Sequence, residues 1–247
     1  MAKTTPRLHV EAPLSAAAEF ALPKEQGHYL ATVLRMGAGD AVRLFNNADG
    51  EWLAYITEAG KKSVSLRCEK NVHAAIPPPD IDYLFAPLKH QRLDYLVQKA
   101  TELGARRLRP IITARTIAER VNLDRMKANV IEAAEQCNLV FVPEVLEPQK
   151  FETALHDWEA TRTLIFCDET ATISDPLQAL KAVKTPAAII VGPEGGFTEL
   201  ERQHLKSLPF VIGISLGPRI MRADTAAVAV LALVQAVIGD WSSSHKS

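Results

Sequence analysis

AAIIVGPEGGFTELE, residues 187–201, decides how the second half of the chain folds. A five-residue apolar run, a turn containing three glycines and a T-x-x-E sequence follow one another, which is the order of a strand, a loop and a helix start. Ala187–Val191 is short and apolar on both alternating faces, the pattern of a strand buried in a parallel sheet. Thr198 and Glu201 have the spacing of a capping box, in which a hydroxyl and a carboxylate satisfy free amides at a helix N-terminus. Between them, Gly192, Pro193, Glu194, Gly195 and Gly196 form a turn whose glycines let main-chain atoms approach a ligand closely. It is not a phosphate loop. GxxxxGK[ST] needs a lysine and a hydroxyl, and a dinucleotide loop needs GxGxxG; neither pattern is present, and Glu194 beside a polyphosphate would repel it. The loop is expected to hold a ligand that is not polyanionic, although its spacing alone fits a plain strand-to-helix turn equally well.

A second stretch has the same plan. SLGPRIMRADTAAVAVLALVQ, residues 215–235, leads from a strand through a Gly-Pro loop, carrying Arg219 and Arg222, into an apolar helix. Two such loops at the carboxyl ends of neighbouring strands make a crevice, the place where open α/β sheets hold ligands. Outward from these two loops, DYLFAPL, LRPIIT and TLIFC alternate with helical stretches such as RLDYLVQKATELG and DRMKANVIEAAEQC. That alternation predicts an α/β domain with a mostly parallel sheet.

The first third reads differently. DAVRLF, EWLAYIT and SVSLRC are short β-type runs separated by turn residues, preceded by HYLATVLRM with helical spacing. IPPPD at 76–80 then interrupts all regular structure, since consecutive prolines continue neither a helix nor a central strand. The expected division is a small β domain over 1–72, a Pro-rich linker over 73–80 and an α/β domain over 81–247.

At 247 residues with 47% hydrophobic and 23% charged side chains, the chain has the composition of an ordinary globular protein able to bury a full core. Its three cysteines are widely spaced and form no CxxC pair, so neither a metal site nor a disulfide framework is expected, and a cytoplasmic setting fits. The N-terminal residues lack the apolar core of a signal peptide. Ala226–Ile238 is the most apolar run, but at thirteen residues it falls short of the roughly 20 that cross a bilayer, and a buried helix is predicted instead. Net charge is −1, yet Lys89–Lys127 holds ten Lys or Arg against four Asp or Glu, a local excess of +6. Such a segment suits a polyanion, or simply a solvated helix face.

VGPEGGFTELE and SLGPRIMRADTAA together resemble the paired signatures of the SPOUT methyltransferases, and within them the RsmE family of 16S rRNA uracil-N3 methyltransferases. HYLATVLRMGAGDAVRLFNNADGEW, RLDYLVQKATELGARRLRPI and NVIEAAEQC are similar to further stretches of that family, in the family's order. Met221 stands where the family more often has Leu, Ala223-Asp224 where it has Thr-Glu, and Leu139 where it has an arginine.

The resemblance implies a trefoil-knotted, mostly parallel catalytic domain behind an N-terminal PUA-like β-barrel, with S-adenosyl-L-methionine as cofactor. It assigns the cofactor to Gly192, Pro193, Glu194, Gly195, Gly196, Leu216, Gly217 and Met221, with Cys167 and Asp168 close by. Removing the N3 proton of uracil and stabilising the charge left on the ring call for a base and a cation; Arg222 suits the cation, and Asp224 or Glu194 the base. Asp224 also suits the N-cap of a helix over 225–238. Arg7, Arg35, Lys89, Arg92, Arg115 and Arg219 are the expected RNA contacts, with Arg106, Arg107 and Arg109 in the same basic segment. The implied partners are the 16S rRNA of the small ribosomal subunit and a second copy of the chain, joined through the apolar helix with Val230 and Val234 on its outer face. Two other readings remain open: a SPOUT enzyme modifying another base or a ribose 2'-OH, and an RNA-binding protein without catalysis.

Overall fold

The computed structural model describes residues 5–60, 63–89, 91–118, 120–171 and 175–241. They form two compact units, Met1–Pro77 with Ala134–Val142, and Pro78–Ala133 with Pro143–Ser247. Residues 74–79 carry no regular structure.

The first unit contains β1 (Arg7–His9), β2 (Glu19–Ala21), α1 (Lys24–His28), a π-helical turn over Tyr29–Val33, β3 (Ala41–Asn46), β4 (Gly50–Ala59) and β5 (Val64–His73). The strand order is β1-β3-β4-β5-β2, with β1 parallel to β3 and the other pairs antiparallel. Alternate residues of the long strands, among them Val42, Leu44, Ala54, Ile56, Val64 and Leu66, turn into one core with Leu8 and Leu30, as a period of two requires. The barrel implied by resemblance is not closed: no pairing joins β1 to β2 among the described residues. Both end strands have only three residues, too few to close a ring, and fully buried Leu30 of the π-helical turn packs into the core instead.

The second unit runs β6 (Ile81–Phe85), α2 (Gln91–Glu102), β7 (Arg107–Ile112), α3 (Leu123–Gln136), β8 (Glu144–Val145), β9 (Gln149–Lys150), α4 (Phe151–His156), β10 (Thr163–Cys167), α5 (Pro176–Lys181), β11 (Ala187–Val191), α6 (Glu199–Ser207), β12 (Val211–Ile214) and α7 (Ala223–Val237). Its sheet has the order β12-β10-β11-β6-β7-β8, with β9 also on β7, and every pairing is parallel. β6 and β11 at its centre are buried at every residue; β11 accordingly reads as an unbroken apolar run, whereas β6 carries Asp82 among its apolar residues. Gly104, at φ +73, lies two residues past Glu102 and stops α2.

Two groups of basic residues are not where an RNA role would put them. Arg107 and Arg109, near the amino end of β7, pair with Asp82 at 2.6 and 3.2 Å, and Arg107 also pairs with Asp80. Arg162 joins the same carboxylates, at 3.0 Å from Asp80. Asp82 is 2% exposed at its side chain, so these arginines neutralise a buried acid at the amino edge of the sheet, whereas the two glycine loops leave its carboxyl edge. Arg7 is also committed internally. Its Nε donates to Glu51 at 2.5 Å, its Nη1 to the carbonyls of Ala134 and Glu135 at 2.8 and 3.0 Å, and its Nη2 to that of Leu139 at 3.0 Å. With 6% of its side chain exposed and four of its five N–H donors spent on these partners, it has little to offer a phosphate.

Burial disfavours a charge on Glu51, but Arg7 and His73 outweigh that and hold its carboxyl below the ordinary value. A carboxyl lowered in the folded state contributes stability above its unfolded value and loses it as pH falls through the folded one. Arg7→Met leaves Glu51 buried without its principal cation, and breaking a buried pair in this way costs about 3–5 kcal/mol. Urea denaturation is expected to show that loss at pH 7 and a smaller one after acidification; an unchanged midpoint with weaker RNA binding would return Arg7 to the phosphate role.

Candidate active site

β10, β11 and β12 end on one edge of the sheet, and the loops that follow them meet there. Around a cavity of about 350 Å³ lie Cys167 and Asp168 after β10, Gly192–Phe197 after β11, and Leu216, Gly217, Arg219, Met221 and Arg222 after β12, with Ala223 and Ala226 of α7. All eight residues expected to contact a cofactor are on this wall. So are Glu194 and Arg222, two of the three catalytic candidates.

The loop after β11 is fixed by three contacts. A Cβ on Gly192 would lie 2.9 Å from the Phe197 ring, so that glycine answers to internal packing; Phe197 is itself buried edge-on against Phe166. Arg115 donates to the carbonyl of Gly195 at 2.8 Å, which ties the arginine expected at phosphate to the loop. Thr198 and Glu201 form the predicted capping box, and the second oxygen of Glu201 accepts from the amide of Ala114 at 2.8 Å. Gly196, at φ +67 with open space at its Cβ position, takes a backbone conformation other residues avoid.

Arg92, in the first turn of α2, brings two candidate carboxylates together. Its Nη1 lies 3.1 Å from Glu194 Oε1 and its Nε 3.6 Å from Asp224 Oδ2. Asp224 is not the N-cap that its residue type suggests. α7 begins two residues earlier than predicted, with Arg222 at the cap position and no side-chain cap bond. Asp224 lies in the first turn, where a carboxylate is favoured by the helix dipole, and its Oδ1 accepts from the Thr225 amide at 2.9 Å.

Behind these groups are the polar side chains of half-buried Cys167 and buried Tyr83 and Asp168. The Cys167 thiol is pushed up to about 12 by burial, so it stays protonated near neutrality. Tyr83 on β6 is fully buried, and its hydroxyl has no hydrogen-bond partner among the described residues. Burial above all raises it well above its ordinary value. Asp168 is buried against its charge, yet Lys206 at 2.7 Å and Thr170 keep it below the ordinary range, and Arg202 sits at 2.6 Å. Arg202, Lys206 and Phe197 are absent from the sequence-based set. Their spacing on and before α6 is that of any amphipathic helix, and only the fold brings Phe197 and Arg202 to the cavity wall and Lys206 to Asp168. Of the expected RNA contacts, Arg35, Lys89, Arg115 and Arg219 are exposed.

Residues 76–235 match the sequence family described as an RNA methyltransferase domain, and residues 22–68 the family described as an RNA methyltransferase PUA domain. The ribosomal RNA small subunit methyltransferase E of Rickettsia conorii is 31% identical, over 93% of this chain and 94% of that protein. Its namesake in Synechocystis sp. is 32% identical, over 88% and 73%. The crystal structure of the Neisseria gonorrhoeae ribosomal RNA small subunit methyltransferase E bound to S-adenosyl methionine superposes with a TM-score of 0.83 at 26% identity, covering 96% of this chain and 99% of that one. A Legionella pneumophila protein, described as a methyltransferase in complex with bound SAM, gives 0.81 at 28% identity, over 96% and 99%. With residues 76–235 matched by the family and the Rickettsia relative 31% identical over 94% of its length, the chain belongs to the RNA methyltransferase family, on the branch of the small-subunit methyltransferase E proteins.

Proposed function

We propose that this chain transfers a methyl group from S-adenosyl-L-methionine to N3 of a uridine in the 16S rRNA of the small ribosomal subunit. The cavity at the carboxyl edge of the sheet carries this reading. It combines apolar walls from Leu216, Met221 and Ala226 with the carboxylate of Glu194, and its glycine loop has no lysine. Asp168, Glu169 and Glu194 on the wall can offset a cationic ligand, and Arg202, Arg219 and Arg222 line it too, so it is the missing phosphate-loop lysine, and not an overall negative wall, that argues against a nucleoside polyphosphate. Relatives named as small-subunit RNA methyltransferases and two structures described with this cofactor support the same assignment.

Gly192, Pro193, Glu194, Gly195, Gly196, Leu216, Gly217 and Met221 would hold the cofactor. When bound, it supplies an electrophilic methyl group. The protein must then take the N3 proton of the uracil and steady the negative charge that spreads onto its carbonyl oxygens. Asp224 takes the proton, since it is the less exposed of the two carboxylates, 17% against 32% for Glu194, and stands next to Arg222 in sequence only two residues on. Arg222 donates to the charged carbonyl. Lys89, Arg35 and Arg219 meet RNA phosphates, with residues 1–72 as the RNA-reading domain, 73–80 as linker and 81–247 as the catalytic domain. No helix among the described residues is long and apolar enough to cross a membrane, and we assign the enzyme to the cytoplasm.

The enzyme acts as a homodimer through α7. Val230 and Val234, expected on its outer face, are fully buried within the chain, as is Gln235, which donates to the Gly104 carbonyl at 3.1 Å. The incompletely covered face is instead Ala229, Ala232, Leu233 and Ala236, still apolar. A second copy related by a two-fold axis covers such a face economically.

Titration calorimetry is expected to detect S-adenosylmethionine and not ATP; the reverse would refute the reading. Ala226→Leu fills the cavity from a helical position and should weaken cofactor binding at least about tenfold with the fold retained; unchanged affinity would move the cofactor elsewhere. Asp224→Asn should lower kcat by about 100-fold or more, the usual contribution of a general base, while Glu194→Gln acts chiefly on cofactor affinity. The opposite assignment follows if these effects exchange places. Sedimentation equilibrium should return twice 27.1 kDa for the wild type and the single mass for Leu233→Glu; a wild-type monomer rejects the dimer.

A further inference from the structure

Arg92 belongs to the basic segment, where a phosphate contact is the obvious expectation, but its surroundings point to a different task. It sits one residue after the start of α2, a helix anchored by buried Leu96, Val97, Ala100 and Thr101 and packed along α7. From that fixed base its guanidinium reaches two acids on two other segments. Glu194 is on the loop after β11, and Asp224 is in the first turn of α7. The two contacts use different atoms of the planar fork, Nη1 at 3.1 Å and Nε at 3.6 Å. The contact to Glu194 is a hydrogen bond and that to Asp224 an ion pair, so the planar fork orients Glu194 directly and draws Asp224 toward its other edge, which a mobile point charge does less specifically.

Two carboxylates gathered at one place repel unless a cation lies between them. The pair is open to solvent, with 36% of Arg92, 32% of Glu194 and 17% of Asp224 exposed, so it adds little to folding stability. Its effect is geometric. It joins the glycine loop on one side of the cavity to the helix start on the other, and it leaves the guanidinium with carboxylate partners on two edges.

We propose that Arg92 is a positioning residue for methyl transfer, orienting Glu194 and Asp224 together, and is not an RNA phosphate contact. This rests on the reading of the cavity as the methyl-transfer site. Asp224 can accept a proton along one direction only if its carboxylate is held, and the fork supplies that restraint before the RNA arrives.

Arg92→Lys and Arg92→Ala separate the two roles when methylation of small-subunit RNA is followed at several salt concentrations beside cofactor calorimetry and thermal melting. Lysine keeps the charge, which suffices for a phosphate, but loses the fork. For a positioning residue, kcat falls about tenfold in Arg92→Lys and about 100-fold in Arg92→Ala. KM for RNA, the salt slope and the melting temperature stay near those of the wild type. Wild-type kcat in Arg92→Lys, with raised KM and a shallower salt slope in Arg92→Ala, would make it a phosphate contact and overturn the proposal. Unchanged kcat and KM in both variants would reduce it to a surface ion pair, and a fall in kcat matched by lost melting temperature would make it structural; either result also overturns it. A wild-type protein that neither binds the cofactor nor methylates RNA refutes the methyl-transfer reading itself, and this inference with it.

Discussion

The closure of Phe197 over Gly192 is the contact on which the rest of the catalytic half depends. A side chain at 192 would collide with the ring, so the chain can turn back at the end of β11 only with glycine there. That turn delivers Thr198 to the start of α6, where the capping box with Glu201 fixes the helix, and Glu201 in turn holds the amide of Ala114. The loop between is then short of freedom, with Gly195 held by Arg115 and Glu194 facing Arg92. A rigid cradle of this kind binds a ligand without first spending energy on ordering itself.

The charges of the second unit are sorted by the two ends of its parallel sheet. At the amino edge, Arg107, Arg109 and Arg162 neutralise Asp80 and Asp82. At the carboxyl edge, Arg202 and Lys206 hold Asp168, and Arg92 holds Glu194 and Asp224. Each acid beside the cavity thus has a cation partner, while Lys89 and Arg219 are exposed. A protein of net charge −1 can serve an RNA substrate in this way because its charge is arranged and not accumulated.

Much of the catalytic half was legible in the chain. An unbroken apolar run announced β11, the stretch DYLFAPL announced β6, T-x-x-E announced α6, and two loops at strand ends announced the cavity. Residue type alone misled where tertiary contacts decide. Arg7 looks like any exposed arginine until the carbonyls at 134, 135 and 139 claim it. Asp224 looks like a cap until α7 starts at Ala223. Val230 and Val234 could not be assigned a face, because a helix apolar on nearly every turn has no periodicity to read. The partnership of Arg92 with acids about 100 and 130 positions away in sequence leaves no local pattern at all. Resemblance to a known family supplied the cofactor and the substrate, which composition and spacing do not encode.

The central claim is that the two loops at the carboxyl edge of the sheet carry out N-methylation of a uracil. Mass spectrometry of nucleosides from small-subunit RNA, after incubation with the wild-type chain and S-adenosylmethionine, tests it most directly. The account predicts one new product, uridine methylated at N3, absent when Asp224→Asn replaces the wild type. A methyl group on a ribose oxygen or on another base, or unmodified RNA from a protein that binds the cofactor, would contradict it.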